Sequence, residues 1–225
     1  MTQAGRCFLG RDAYQGNLEY DGGMDIDYDS EFIDTGRLIH PISIGFVRDD
    51  GEELYRIWDT PLIISGAVVD PWHRENTVPS LPLIVHDEVN WEWDENHPDI
   101  ECVKDKKEIR QDVEYFLHEA SVKGGDLRLW AWYAAYDHVL LAQIWGKMID
   151  FPSWMPMFSH DIKQEHVRLG EPELPRQKDG VHNALADARH NRVRREALRE
   201  IERIEKGRES WHNAGLGHVF DNKEQ

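Results

Sequence analysis

Hydrophobic and polar positions change period several times along this chain, and the changes predict its elements. From Met24 to Ile33 the residues alternate, from Leu38 to Arg48 they are apolar and β-branched, and Glu52–Trp58 alternates again. Side chains on successive strand positions point to opposite faces, so these segments predict three strands. Asp50–Gly51 between the second and third is a hairpin turn signal, making the three an antiparallel meander. Asp70–Pro71 reads as an N-cap followed by proline at the first helical position, opening a short helix to about Thr77. Asp105 opens an amphipathic helix with Ile109, Val113, Phe116 and Leu117 on one stripe, broken at Gly124–Gly125. A strand follows at Leu127–Trp132, then a helix at Asp137–Met148 carrying Val139, Leu140, Ile144 and Trp145. A short helix near Asp161–Leu169 and a long one from about Asn183 to Lys206 complete the pattern. Strands first, then alternating helix and strand, predict an α/β domain with a mixed central sheet flanked by helices.

Residues 1–24 are rich in glycine without periodicity and read as an N-terminal extension, a loose arm or appended hairpin. The stretch of about 79–103 contains Trp91 and Trp93 and, from Asp87 to Glu101, seven acidic residues with no Lys or Arg. That composition predicts a surface insertion in a domain of 25–207, followed by a weakly patterned tail of 208–225. At 225 residues the chain suits one domain with additions. No apolar run reaches the roughly 20 residues that span a bilayer, and no secretory signal is evident. Cys7 and Cys102 are too few for a disulfide framework or a cysteine zinc site, which fits a reducing cytoplasm.

Charge narrows the function further. With 26 Lys plus Arg against 43 Asp plus Glu, the net charge is −17. Such a chain cannot coat long nucleic acid through a basic surface. It can still grip a strand end if cations offset its own carboxylates.

The first strand carries the candidate chemistry. Asp25, Asp27, Asp29 and Glu31 project to one face, opposite Ile26, Tyr28, Ser30 and Phe32. The bland reading is a solvated face at the sheet edge; the sharper one is a divalent-cation site, because hard cations take carboxylate oxygens. Asp137 sits just past a strand in the first turn of a helix, where an acid also favours the helix dipole. His182 and Asp187 are five apart, with Asn183 between them as an N-cap candidate. Taken singly, each has an ordinary structural explanation.

Together, YDSEF (Tyr28–Phe32), YAAYDHVLL (Tyr133–Leu141) and HNALADARHN (His182–Asn191) resemble the DEDDh 3′–5′ exonucleases. That superfamily has a ribonuclease H-like fold and includes ribonuclease T and oligoribonuclease. The blocks are most similar to the mycobacterial and phage polyadenylate-specific 3′-exoribonuclease group, over roughly residues 26–205. The resemblance implies a metal-dependent exonuclease, with RNA the expected substrate, releasing nucleoside 5′-monophosphates from a single-stranded 3′ end. It implies two divalent ions, Mg²⁺ or Mn²⁺, with Asp29 bridging both, Glu31 and Asp187 on one and Asp137 on the other. His182 would be the general base toward the attacking water, swinging in from its loop. Relatives of this kind are often homodimers, and a bacterial or phage-infected cytoplasm is the implied location. Phe32 stands where many members carry Thr, so a hydroxyl contact there is replaced by an aromatic ring.

Phe32 is expected to pack or to border the terminal base, with core burial an equal reading, and Tyr133, Tyr136 and Trp132 could stack on bases, although such aromatics more often fill a core. Ala188, Ala197, Leu198 and Ile201 can face the core from the last helix. Arg192, Arg195 and Arg199 share another stripe, which reads first as a solvated face laced with Glu and second as a surface that meets the strand's backbone upstream of the cleaved end, with Arg192 an expected substrate contact. Competing readings are an exodeoxyribonuclease of the same fold, a non-catalytic RNA- or protein-binding module, and an HD-type phosphohydrolase suggested by His86–Asp87 and His160–Asp161. The last belongs to an all-helical fold and conflicts with the strand pattern.

Overall fold

The computed structural model describes residues 22–213, with side chains to residue 207. The N-terminal extension before residue 22 and the end of the tail after residue 213 lie outside the described residues. Three strands open the domain: β1 (Gly23–Asp34), β2 (Ile39–Arg48) and β3 (Glu53–Trp58). They pair antiparallel as expected, and Asp50–Gly51 makes the β2–β3 turn, with the Gly51 N–H donating to the Arg48 carbonyl. Gly51 has φ +87°, a backbone conformation that L side chains rarely adopt.

Two short helices, α1 (Pro61–Val69) and α2 (Pro71–Asn76), follow. Asp70 caps α2 as its sequence predicts, accepting from the His73 N–H at 2.9 Å. No expectation covered α1; its sequence, PLIISGAVV, is apolar nearly all round and shows no helical stripe. The acidic insertion is more structured than its composition suggests. It forms a hairpin of β4 (Leu83–Val85) and β5 (Trp91–Trp93), ending at β6 (Val103–Lys104). Trp91 donates to Ser65 Oγ and Trp93 to Asp59, and both rings pack on a buried cluster, so the hairpin belongs to the domain.

Helix α3 (Lys106–Gly124) has a reciprocal capping box between Asp105 and Glu108 and buries Ile109, Val113, Phe116, Leu117 and Ala120. Then come β7 (Asp126–Ala131), α4 (Ala135–Trp145), β8 (His160–Asp161), α5 (Ile162–Arg168) and α6 (Ala184–Asn213). Helix α4 starts earlier and ends earlier than its periodicity predicts, and Val139 is exposed rather than in the core. Helix α6 runs past the expected Lys206, so the tail from residue 208 begins as helix.

The sheet order is β6-β3-β2-β1-β7-β8, with β7 parallel to β1 and β8 parallel to β7. This is the expected ribonuclease H-like mixed sheet, and it rules against the all-helical HD reading. Strand β1 is therefore interior, not an edge. Helices α3 and α4 cover its Ile26 and Tyr28 face, while α6 covers the acidic face. A second core joins β2 and β3 to α1 and the start of α6 through Ile42, Ile57, Ile64, Ala184 and Ala188. No helix among the described residues is long and apolar enough to cross a membrane.

Candidate active site

The acidic face of β1 divides into two halves. Asp25 and Asp27 are buried, but arginines neutralise them: Arg128 and Arg199 on Asp25, and Arg195 bidentate on Asp27 at 2.8 and 2.7 Å. Burial alone would raise the Asp25 carboxyl, yet its hydrogen bonds from Arg128 and Arg199 hold it well below the usual range. The expected solvated stripe on α6 is thus corrected. Arg195 is only 2% exposed and also meets Asp49, because α6 turns this face onto the sheet rather than to water.

Asp29 and Glu31, farther along the same strand, have no arginine or lysine within ion-pair distance among the described residues. Glu31 is pushed up to about 8, first by burial and then by the nearby charge of Asp187. Asp29 lies well above the ordinary carboxylate range through burial and repulsion from Asp137, Glu31 and Asp187. Burial likewise raises Asp137 to about 7, although Ser30 Oγ donates to it at 2.6 Å. Asp187 is raised by the same cause, while accepting the His182 backbone N–H at 2.8 Å. Such a group of desolvated, mutually repelling carboxylates fits hard divalent cations, which take oxygen ligands and offset the shared charge.

Local structure explains the convergence. Gly45 lies directly opposite Asp29 in the β1–β2 register. A Cβ there would stand 2.5 Å from the Leu185 backbone, so only glycine lets the start of α6 close onto the sheet. That approach brings Asp187, in the first turn of α6, and His182, just before it, to Glu31. Ligand atoms of Glu31, His182 and Asp187 all lie within 4.8 Å of one another. Asp137 arrives from the opposite face, in the first turn of α4, with Ser30 linking it to β1.

The backbone of His182 is held on both sides. Its N–H is on Asp187, its carbonyl accepts from Ser80 Oγ at 2.8 Å, and its φ is +66°. The ring lies edge-on to Trp72 at 4.8 Å, with Nδ1 3.7 Å from Glu31. Thr77, fully buried, donates to Glu31 at 3.3 Å and helps fix that carboxylate. The positive-φ residues other than glycine among those described are Tyr133, Glu171 and His182, and all three line one cleft. Clustering of such strained backbone at one place marks a functional site.

This cleft is about 1070 Å³ and contains Asp29, Glu31, Asp137, His182 and Asp187 together. Phe32, Tyr133 and Tyr136 also line it, Phe32 stacking on Tyr136 at 5.6 Å. Arg192 does not. It donates to the Arg48 and Asp49 carbonyls and pairs with Glu196, because its position on α6 faces the β2–β3 turn. Asn191 and Arg194 line the cleft instead, with Trp132. The sequence held a signal for them: 187, 191 and 194 follow the i, i+4, i+7 spacing of one helix stripe.

Comparison with known proteins agrees with this arrangement. The model of the 3′-5′ exoribonuclease Rv2179c-like domain matches residues 24–198. The 3′-5′ exoribonuclease Rv2179c of Mycobacterium tuberculosis strain ATCC 25618 / H37Rv is 36% identical over 168 residues, covering 72% of this chain and 85% of the relative. The 3′-5′ exoribonuclease MT2234.1 of Mycobacterium tuberculosis strain CDC 1551 / Oshkosh matches to the same extent. The DEDDh resemblance carried by the three sequence blocks is therefore sound. With a match across most of its length and all five expected residues in one cleft, the chain belongs to the 3′-5′ exoribonuclease Rv2179c-like domain family.

Proposed function

We propose that this protein is a metal-dependent 3′–5′ exoribonuclease that removes nucleoside 5′-monophosphates from single-stranded RNA. The observation that carries the reading is the divided face of β1: arginines pair with Asp25 and Asp27, whereas Asp29 and Glu31 join Asp137 and Asp187 with no ion-paired arginine or lysine among the described residues. In this reading Asp29, Glu31, Asp137 and Asp187 hold two divalent ions, Mg²⁺ or Mn²⁺. When bound, such ions supply an activated water and stabilise the attacking and leaving oxygens of an in-line displacement.

The chain's own groups do the rest. His182 takes the proton of the attacking water; with Nδ1 turned toward Glu31, Nε2 is the nitrogen left to accept it. Ser30 and Thr77 orient Asp137 and Glu31 from behind, as outer hydrogen-bond partners do for metal-binding carboxylates. The Phe32–Tyr136 pair offers an aromatic face to the terminal base, and Tyr133 a second one. An acidic chain with this cleft suits a strand end in the cytoplasm rather than a nucleic-acid coat.

The test is incubation of 5′-labelled single-stranded RNA and DNA oligomers with Mg²⁺ or Mn²⁺, with and without chelator. A ladder shortening from the 3′ end of RNA, abolished by chelator and by Asp29→Ala, is expected. Full activity in chelator, or in Asp29→Ala, would falsify the metal assignment. Preferential loss of the DNA oligomer would replace ribonuclease by deoxyribonuclease.

A further inference from the structure

Where its side chains are described, to residue 207, helix α6 carries arginines at 189, 192, 194, 195, 199 and 203, and all but one of these six are ion-paired. Arg189 meets Glu53, Arg192 Glu196, Arg195 Asp27, Arg199 Asp25 and Arg203 Glu200. Arg194 has no carboxylate within ion-pair distance among the described residues, although it is half-buried in an acidic protein. Its guanidinium lies over the Trp132 ring, 4.5 Å from the centroid, and one N–H reaches Asn191 Oδ1 at 3.3 Å. Nε and Nη2 have no hydrogen-bond partner among the described residues, and the side chain lines the cleft.

Asn191 sets where that guanidinium stands. It is buried and donates to the Tyr28 carbonyl at 3.1 Å, one residue from Asp29. One amide therefore ties Arg194 to β1 at the residue that precedes Asp29. A planar guanidinium held on an aromatic face, with free donors beside a carboxylate cluster, matches a tetrahedral oxyanion in a way a lysine would not.

We propose that Arg194, seated on Trp132 and Asn191, is a phosphate-binding residue that takes a non-bridging oxygen of the strand's terminal phosphodiester. The inference rests on the cleft acting on RNA 3′ ends. Arg194 would bring to the reacting phosphate a positive charge from the protein itself, which the four carboxylates cannot.

The test uses the full chain with Mn²⁺ and a 5′-labelled RNA oligomer, comparing wild type, Arg194→Ala, Arg194→Lys and the exposed control Arg203→Ala. KM and kcat are measured at several salt concentrations. Binding of adenosine and uridine 5′-monophosphates is compared with that of the two nucleosides. Arg194→Ala should raise KM about 10- to 100-fold, the loss expected for one charge-assisted contact. It should also erase most of the advantage of nucleotide over nucleoside, and reduce the salt dependence of log KM by about 0.7. Arg194→Lys should recover part of each, and Arg203→Ala should match wild type. An Arg194→Ala protein with wild-type KM and nucleotide preference overturns the proposal. So does one that loses kcat while its nucleotide preference and salt slope stay intact, because that is a structural defect. Should Arg194→Ala not fold, Arg194→Gln is read in the same way. A wild-type protein that leaves RNA intact overturns the exoribonuclease reading instead, and the nucleotide-against-nucleoside comparison then still decides the phosphate site.

Discussion

Asp27 and Asp29 are two residues apart on one strand face, yet one is paired and the other is not. Asp27 is fully buried against Arg195, whereas Asp29 repels Asp137, Glu31 and Asp187. Burial raises Asp27 to about 6 despite Arg195, and members of the unpaired cluster rise further in the metal-free protein. Glu31 is raised from an ordinary 4.5 to about 8, and Asp137 from 3.8 to about 7. Groups that bind protons more tightly when folded stabilise the protein at low pH and lose that contribution as pH rises through their folded values. The metal-free melting temperature should therefore fall between about pH 4.5 and pH 8. Mn²⁺ should restore it most at the upper end, where fewer protons compete; thermal melts with and without ion, at pH 5 and pH 8, check this. An ion-induced shift equal at both pH values would contradict the assignment. At His182 the expected outcome differs: His182→Ala should lower kcat by about 10²- to 10⁴-fold while leaving Mn²⁺ stabilisation largely intact.

At the scale of elements, the decisive contact is the start of α6 against β2. Gly45 admits the Leu185 backbone to the place a Cβ would occupy. Gly45→Ala must displace α6 or β2, and overpacking of that kind costs about 1–3 kcal/mol. Denaturant unfolding should record that loss. RNA hydrolysis should fall further than stability does, because Asp187 and His182 move with the helix. Arg195 is the second such contact, holding α6 to Asp25, Asp27 and Asp49. Arg195→Met leaves buried carboxylates without their partner and should cost about 3–5 kcal/mol, read as a lower denaturation midpoint.

For the whole molecule, the net charge of −17 opposes long polyanions. In the proposed reading the cleft would concentrate attraction on one strand end, through bound cations and the aromatic rim. KM per 3′ end should then stay within about 3-fold for single-stranded RNAs from roughly 8 to 40 nucleotides, since added phosphates meet a strongly acidic protein. Steadily falling KM with length, measured with oligomers of equal end sequence, would indicate an extended binding surface.

Much of this was legible before folding. The β1–β3 meander, the capped start of α3 and the N-cap at Asn183 follow from local period and capping chemistry, which short segments carry by themselves. Asp29, Glu31, Asp137, His182 and Asp187 are picked out as a set by the resemblance of their three sequence blocks to the DEDDh exonucleases; taken singly, each has an ordinary structural explanation. What α6 faces was not legible. The helical period distinguishes the stripe of 187, 191 and 194 from that of 192, 195 and 199, but not which stripe meets the cleft and which the buried acids. Only the docking of α6 over β1, permitted by the missing side chain at Gly45, decided that Arg195 is buried, that Arg192 turns away, and that Arg194 stands beside Asp29.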